Sequence, residues 1–171
     1  PGGAEVERVL EVSSPGWISL FAARKYAAEF KELLPTVVKR ATAREFRLLA
    51  ASKNVPESVR RYLIEASRCY LYGEFLACLI VCRSAVEEAV KQRLGDIGMV
   101  SEVQKDDRLV NLLRLARREG LLDNKRSHMA DAIRETASKA VHGKRLPDEE
   151  ECIESFYHTR GVLEHLYGRL Q

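Results

Sequence analysis

Apolar residues recur every three or four positions along almost the whole chain. This spacing places them on one face of an α-helix, and only residues 6–12 also fit a short strand. The pattern therefore predicts an all-α protein. We expect a bundle of about five helices over residues 54–171, preceded by an N-terminal helical extension over residues 1–53.

Helix-breaking and helix-capping residues divide this pattern into elements. An amphipathic helix over residues 17–34 is expected to end or kink at Pro35. Residues 42–45 form a capping box that opens a short helix. Pro147 and the three carboxylates that follow it are typical of the first turn of a last helix. The glycines expected to end the helices in between are Gly73, Gly95, Gly98, Gly120 and Gly143.

A helix predicted over residues 74–94 is the most apolar element. Its first part, residues 75–82, is apolar on all sides, and we expect other helices to surround it. The polar stretch 101–107 predicts a flexible loop. Asp107 and Ser127 are each in a position to cap the helix that follows.

Composition narrows the class of protein. The chain has 171 residues, of which 46% are hydrophobic and 31% charged, as is typical of a soluble globular domain. No apolar run approaches the roughly 18 residues that a membrane span needs. The chain starts without Met or an apolar leader, which favours a cytoplasmic protein and a fragment of a longer polypeptide. A net charge of +3 is too small to indicate nucleic-acid binding by itself.

The cysteines and histidines do not indicate a metal site. The four cysteines are Cys69, Cys78, Cys82 and Cys152. Their spacing fits neither a disulfide framework nor paired zinc ligands, so we interpret them as small buried residues in a reducing compartment. The histidines form no chelating set at helical spacing, and we predict neither a metal nor another cofactor.

Isolated polar groups in this apolar framework are the candidates for chemistry. Arg83 and Glu87 lie four residues apart on the apolar helix, directly after its most hydrophobic stretch. Two interpretations stay open. The two side chains form a partly exposed ion pair at the end of a core helix, or they orient a polar ligand in a cleft.

A second candidate lies near the end of the penultimate helix. Arg134, Ser138 and His142 follow one another at intervals of four and therefore share one stripe of that helix. Lys139 and Lys144 make the same corner cationic, and the helix dipole favours positive charge there, so an anion is the natural ligand. A lone histidine near a helix end is more often a cap or a surface residue, and that interpretation also stays open.

These residues belong to a set of motifs that resembles a known family. The motifs are Val55-Pro56-Glu57-Ser58-Val59, Gly73-Glu74-Phe75, Cys82-Arg83-Ser84-Ala85-Val86-Glu87, Gly120-Leu121-Leu122, Ala132-Ile133-Arg134 and Lys139-Ala140-Val141-His142-Gly143. In this order, over about residues 54–170, the chain resembles the bacterial domain-of-unknown-function family DUF4145. That family is in turn similar to the wider HEPN group of helical-bundle domains, so the resemblance implies a HEPN-like bundle.

The resemblance also implies a site. Many HEPN domains are metal-independent ribonucleases of toxin–antitoxin and other defence systems, and many act as dimers. Their signature, an Arg followed by a polar residue and after a short gap a His, falls on Arg134 and His142. His142 would move the proton of the ribose 2′-hydroxyl, and Arg134 would bind the phosphoryl oxygens. Arg83 and Glu87 would support the shared cleft.

The chain departs from the active signature in two ways. Glu135 follows the arginine where active relatives usually carry Asn, Asp or His, and the gap to His142 is longer than usual. We therefore predict first a regulatory HEPN-like module that binds RNA, a nucleotide or a partner protein, as a homodimer beside a fused or associated nuclease or helicase domain. The alternative is a metal-independent endoribonuclease. A third hypothesis is a domain that only dimerises.

Overall fold

The computed structural model describes residues 20–42, 54–143 and 145–168. These ranges contain only α-helices, turns and loops, which confirms the all-α prediction. The predicted strand, the capping box and the short helix after it lie outside the described residues, as does Lys144. None of the helices in the described ranges is long and apolar enough to cross a membrane.

The chain divides into two compact units, residues 1–41 and residues 42–171. Helix α1, Leu20–Thr42, accounts for the described part of the first unit. It continues past Pro35, so of the two predicted alternatives, an end or a kink at this proline, the end is wrong. Proline removes one backbone hydrogen bond, but its fixed φ is itself helical, and the neighbouring turns here stay helical.

The second unit is a helical bundle. Its helices are α2 (Glu57–Tyr72), α3 (Phe75–Asp96), α4 (Val100–Lys105), α5 (Leu109–Arg118), α6 (Asn124–His142) and α7 (Glu149–Tyr167). Helix α4 occupies the stretch where a flexible loop was predicted, and that prediction is wrong. Partly buried Val103 anchors this single turn and a half against the core, which the polar residues around it do not indicate.

Helix α3 is the centre of the bundle, in contact with α2, α4, α5, α6 and α7. Its buried residues are Cys78, Leu79, Cys82, Ala85, Val86, Ala89, Val90 and Leu94. The expectation that residues 75–82 are surrounded on all sides is wrong, because Ile80 is 39% exposed and Val81 is only partly buried. The stripe of α3 that carries Ile80 and Val81 is in part exposed to solvent, because the helices packed on α3 do not cover it.

Local signals located most helix ends. Gly73 closes α2 with a φ of +80°, a left-handed conformation that glycine adopts without steric cost. Asp148 begins α7 in a capping box, accepting the N–H of Glu151 while the Glu151 carboxylate accepts the N–H of Asp148. The acidic first turn predicted for the last helix is therefore confirmed.

Two predicted caps are wrong. Helix α5 starts after Arg108 without a side-chain cap, and Asp106, instead of Asp107, accepts the N–H of Arg108. Helix α6 starts one turn earlier than expected, because Asp123 caps it by accepting the N–H of Arg126 at 2.8 Å. Ser127 consequently lies inside α6, where it is buried.

An aromatic pair and a thiol cluster fill the core between α2, α3 and α7. Tyr70 and Phe156 meet edge to face with ring centroids 5.3 Å apart. Cys78, Cys82 and Cys152 are buried free thiols, as predicted, whereas Cys69 is only partly buried, so the prediction is wrong for that residue. Hydrogen bonding to the Cys152 and Cys82 thiols, together with burial, raises the pKa of Cys78, so this thiol stays protonated and behaves as a packing group.

The Tyr167 hydroxyl ties α7 to α3. It donates to the carbonyl oxygen of Ala89 at 3.2 Å, and burial raises the pKa of Tyr167 to about 12. A tyrosine in an unfolded chain titrates near pH ~10. Because the folded pKa is the higher one, the stabilisation is complete below about pH 10 and is lost as the pH rises toward 12.

Tyr167→Phe is expected to lower the free energy of unfolding by about 1 kcal/mol at neutral pH, because it removes this donor from a partly buried carbonyl. It should also reduce the loss of stability on the alkaline side. Urea unfolding between neutral and alkaline pH measures both effects. Tyr157→Phe, at an exposed ring on the same helix, is the control. Identical pH profiles for wild type and Tyr167→Phe would contradict this assignment.

Candidate functional site

The predicted stripe lies on α6, which buries Ala130, Ile133 and Ala137 against the bundle. That packing turns Arg134 and Ser138 to a partly buried flank and leaves His142 exposed in the last turn. Eight residues at 1.5 Å each separate Arg134 and His142 by about 12 Å along the helix axis. In the described ranges, no hydrogen bond joins any two members of the stripe.

The Arg134 guanidinium is held by carboxylates of its own helix. Its Nε lies 3.0 Å from an Asp131 oxygen, and its terminal nitrogen lies 3.2 Å from a Glu135 oxygen. The Arg134 side chain is only 26% exposed. Two negative charges thus offset the positive charge, and a phosphate approaching Arg134 would meet both carboxylates. Sequence reasoning noticed Glu135 but missed Asp131, although its i, i+3 spacing from Arg134 was visible.

The other predicted residues of α6 differ from Arg134 in having no hydrogen-bond or ion-pair partner among the described residues. They are Ser138, Lys139 and His142. Lys139 and His142 are also exposed. Both lie in the last turn of α6, where the unpaired carbonyls of the helix end favour positive charge. The cationic character predicted for this corner therefore rests on Lys139, with the exposed imidazole of His142 about one turn further along α6.

Arg83 and Glu87 do not form the ion pair that was considered. Glu87 instead accepts a hydrogen bond from Lys91 at 2.8 Å, and this bond raises the pKa of Lys91. Arg83 is partly buried and has no partner in the part of the chain that the structure describes. No described hydrogen bond or ion pair links these α3 residues to the α6 stripe.

A cavity of about 340 Å³ opens where α6 ends and α7 begins. The residues that line it are Thr136, Lys139, Ala140, Gly143, Arg145, Pro147 and Glu151. Of the predicted site residues, the structure places only Lys139 in this wall. Sequence reasoning missed the cavity because its walls come from two helices and their connection, which no single helical pattern brings together.

Gly143 shapes the cavity where α6 stops. A Cβ atom built on it would lie 2.3 Å from the carbonyl oxygen of Lys139, so a larger residue requires the backbone to shift. The Gly143 φ of −80° is ordinary, and the close approach alone explains the glycine. Within the described ranges its N–H has no hydrogen-bond acceptor.

The opposite wall of the cavity is internally neutralised. Arg145 contacts the carboxylates of Asp148 at 3.2 Å and of Glu151 at 2.8 Å. The Glu151 N–H and the Arg145 guanidinium hold the pKa of Asp148 below its usual range, so this carboxyl stays ionised. Lys139 is therefore the cavity's uncompensated charge among the described lining residues.

The described residues contain no group of three or more His, Cys, Asp or Glu arranged to hold a metal ion. The donors around the cavity are instead an ammonium, a hydroxyl and a backbone N–H. These groups are suited to an anion.

The fold and this corner define an all-α bundle domain with an anion-compatible cavity. The comparison with known families identifies it further. Residues 64–171 match the family described as a domain of unknown function, DUF4145, and the chain belongs to that family. No curated protein and no solved structure matches the chain.

Proposed function

We propose that this chain is a HEPN-like regulatory module that binds the phosphate groups of RNA or a nucleotide without cleaving them. The bound state would control an associated effector domain. Support for the HEPN-like assignment comes from the ordered motifs of the sequence and from the position of Arg134 and His142 on one bundle helix.

The state of Arg134 carries the non-catalytic part of the proposal. A catalytic arginine must stabilise the negative charge that grows on the phosphoryl oxygens in the transition state. Here Asp131 and Glu135 already occupy the guanidinium. Recruiting Arg134 would require both contacts to break and would leave two carboxylates beside the phosphate.

The binding part of the proposal rests on the end of α6. Lys139 and His142 have no partner in the described chain, whereas most arginines of the second unit are paired with carboxylates. Since exposed pairs neutralise one another, positive potential concentrates at the unpaired groups. A phosphate placed there gains charge-assisted hydrogen bonds without displacing an existing pair.

The alternative function is a metal-independent endoribonuclease in which His142 moves the proton. The free, exposed imidazole of His142 is the observation that favours it. In that case a homodimer would have to bring a second cationic group to the phosphate, because Arg134 is engaged. A domain that only dimerises would show neither binding nor cleavage.

Incubation of the full chain with radiolabelled RNA in EDTA separates these functions. We expect RNA to be retained intact, with affinity reduced about 3- to 10-fold in His142→Ala, the range of one lost phosphate contact. His128→Ala, another exposed histidine of α6 without a partner, is the matched control and should bind normally. Cleavage to cyclic-phosphate ends that disappears in His142→Ala would overturn the proposal in favour of the ribonuclease.

A further inference from the structure

We infer that the ligand of this corner is a small phosphorylated molecule of the nucleoside monophosphate class, held in the cavity between α6 and α7. An extended RNA strand would bind there no more tightly than such a molecule. This inference rests on the proposed function and narrows it to one class of phosphate carrier.

Three of the residues that line the cavity carry hydrogen-bond donors. Lys139 supplies an ammonium group, Thr136 a hydroxyl one turn earlier on the same helix, and Gly143 a backbone N–H. None of the three donors is engaged within the described residues. A phosphate has enough acceptor oxygens for all three.

The remaining lining suits a ring. Ala140 and Pro147 give the cavity an apolar surface, and the Arg145–Glu151 pair offers both a donor and an acceptor beside it. A volume of about 340 Å³ is at the lower end of small-molecule sites, which are roughly 300 Å³ or larger. The cavity can therefore hold one small phosphate ester of about the size of a nucleoside monophosphate.

The charges along α6 argue against a polymer. Asp131 and Glu135 lie between this corner and Lys125, which is the next unpaired cation of α6 described toward the helix start. Lys125 precedes Lys139 by fourteen residues, which is about 21 Å along the helix. Proteins that bind single-stranded nucleic acid present a continuous positive groove to its phosphate backbone. Along α6, by contrast, positive and negative side chains alternate.

The test is isothermal titration of the full chain with the four ribonucleoside 5′-monophosphates, inorganic phosphate and a ten-nucleotide RNA. We expect at least one monophosphate to bind about tenfold or more tightly than inorganic phosphate. The ten-nucleotide RNA should not bind more tightly than that monophosphate. Lys139→Gln should weaken monophosphate binding about tenfold or more, because the group is the uncompensated charge of the wall.

Lys125→Gln is the matched control, since it removes an exposed lysine from the other end of the same helix. Circular dichroism verifies that each variant is folded. If the RNA binds in a Lys139-dependent way and every monophosphate fails, this inference falls while the proposed function stands. Monophosphate affinity equal to that of inorganic phosphate overturns the inference as well. Failure of every phosphate-bearing probe overturns both.

Discussion

Replacing Phe156 with Ala should lower the free energy of unfolding by about 3–5 kcal/mol, the range for truncating a buried phenylalanine. The ring is 1% exposed. It contacts Tyr70 of α2 edge to face, an arrangement that adds roughly 0.5–1.5 kcal/mol beyond burial. Alanine would leave a cavity between α2 and α7 that the surrounding helices cannot close, because α3 holds both in place.

Urea unfolding followed by circular dichroism measures this effect. Tyr157→Ala, at the neighbouring position of the same helix, is the control because its ring is 47% exposed. We expect that variant to lose at most about 0.5–1 kcal/mol. A loss below about 1 kcal/mol for Phe156→Ala would mean that α7 does not pack on α2 in solution through this ring.

Thr159→Val should raise the free energy of unfolding by about 1–2 kcal/mol. Thr159 is fully buried, and its hydroxyl has no hydrogen-bond partner among the residues that the structure describes. An unsatisfied buried hydroxyl costs about 1–3 kcal/mol, and valine keeps nearly the same shape without the polar atom. Valine and threonine also have similar helix propensities, so the substitution changes the intrinsic stability of the helix very little.

Ser84→Ala is the control for this gain. The Ser84 hydroxyl is only partly buried and donates to the carbonyl oxygen of Ile80 at 3.1 Å, so its removal should not stabilise the protein. Urea midpoints of the two variants, measured together, give the comparison. Destabilisation by Thr159→Val would show that the hydroxyl has a partner in solution.

Helix α2 illustrates what local patterns predict well. Val59, Leu63, Ala66 and Tyr70 follow one another at intervals of three or four residues, which places them on one face, and all four are buried. The reason is that a helix of this length has one apolar stripe, and burying it is the main source of its stability. The same argument holds for α5 and α7, and the motif order located the DUF4145 family.

Helix starts were less predictable. Asp123 and Ser127 are both cap-type residues four positions apart, and propensity does not choose between them. The structure uses Asp123, whose side chain accepts the N–H of Arg126, and Ser127 lies buried one turn further into α6. The stretch 101–107 was similarly misjudged, since tertiary contact at Val103 outweighs its weak local preference.

Partner choice in the candidate site also depended on the tertiary structure. Glu87 has two possible basic partners, Arg83 and Lys91, each four residues away in the sequence. Only the folded structure shows that Glu87 accepts a hydrogen bond from Lys91. The spacing of three residues between Asp131 and Arg134 is visible in the sequence. That the Arg134 guanidinium contacts the Asp131 carboxylate, with its side chain only 26% exposed, is seen only in the folded structure.

By itself, the sequence determined the all-α class, the buried face of helices such as α2 and α5, and the family, because hydrophobic periodicity and motif order act within one segment. The tertiary structure decided which caps are used, which carboxylates neutralise Arg134 and where the cavity lies. These features depend on the distances between groups on different turns and helices. Such distances exist only after α6, α7 and their connection have packed against α3.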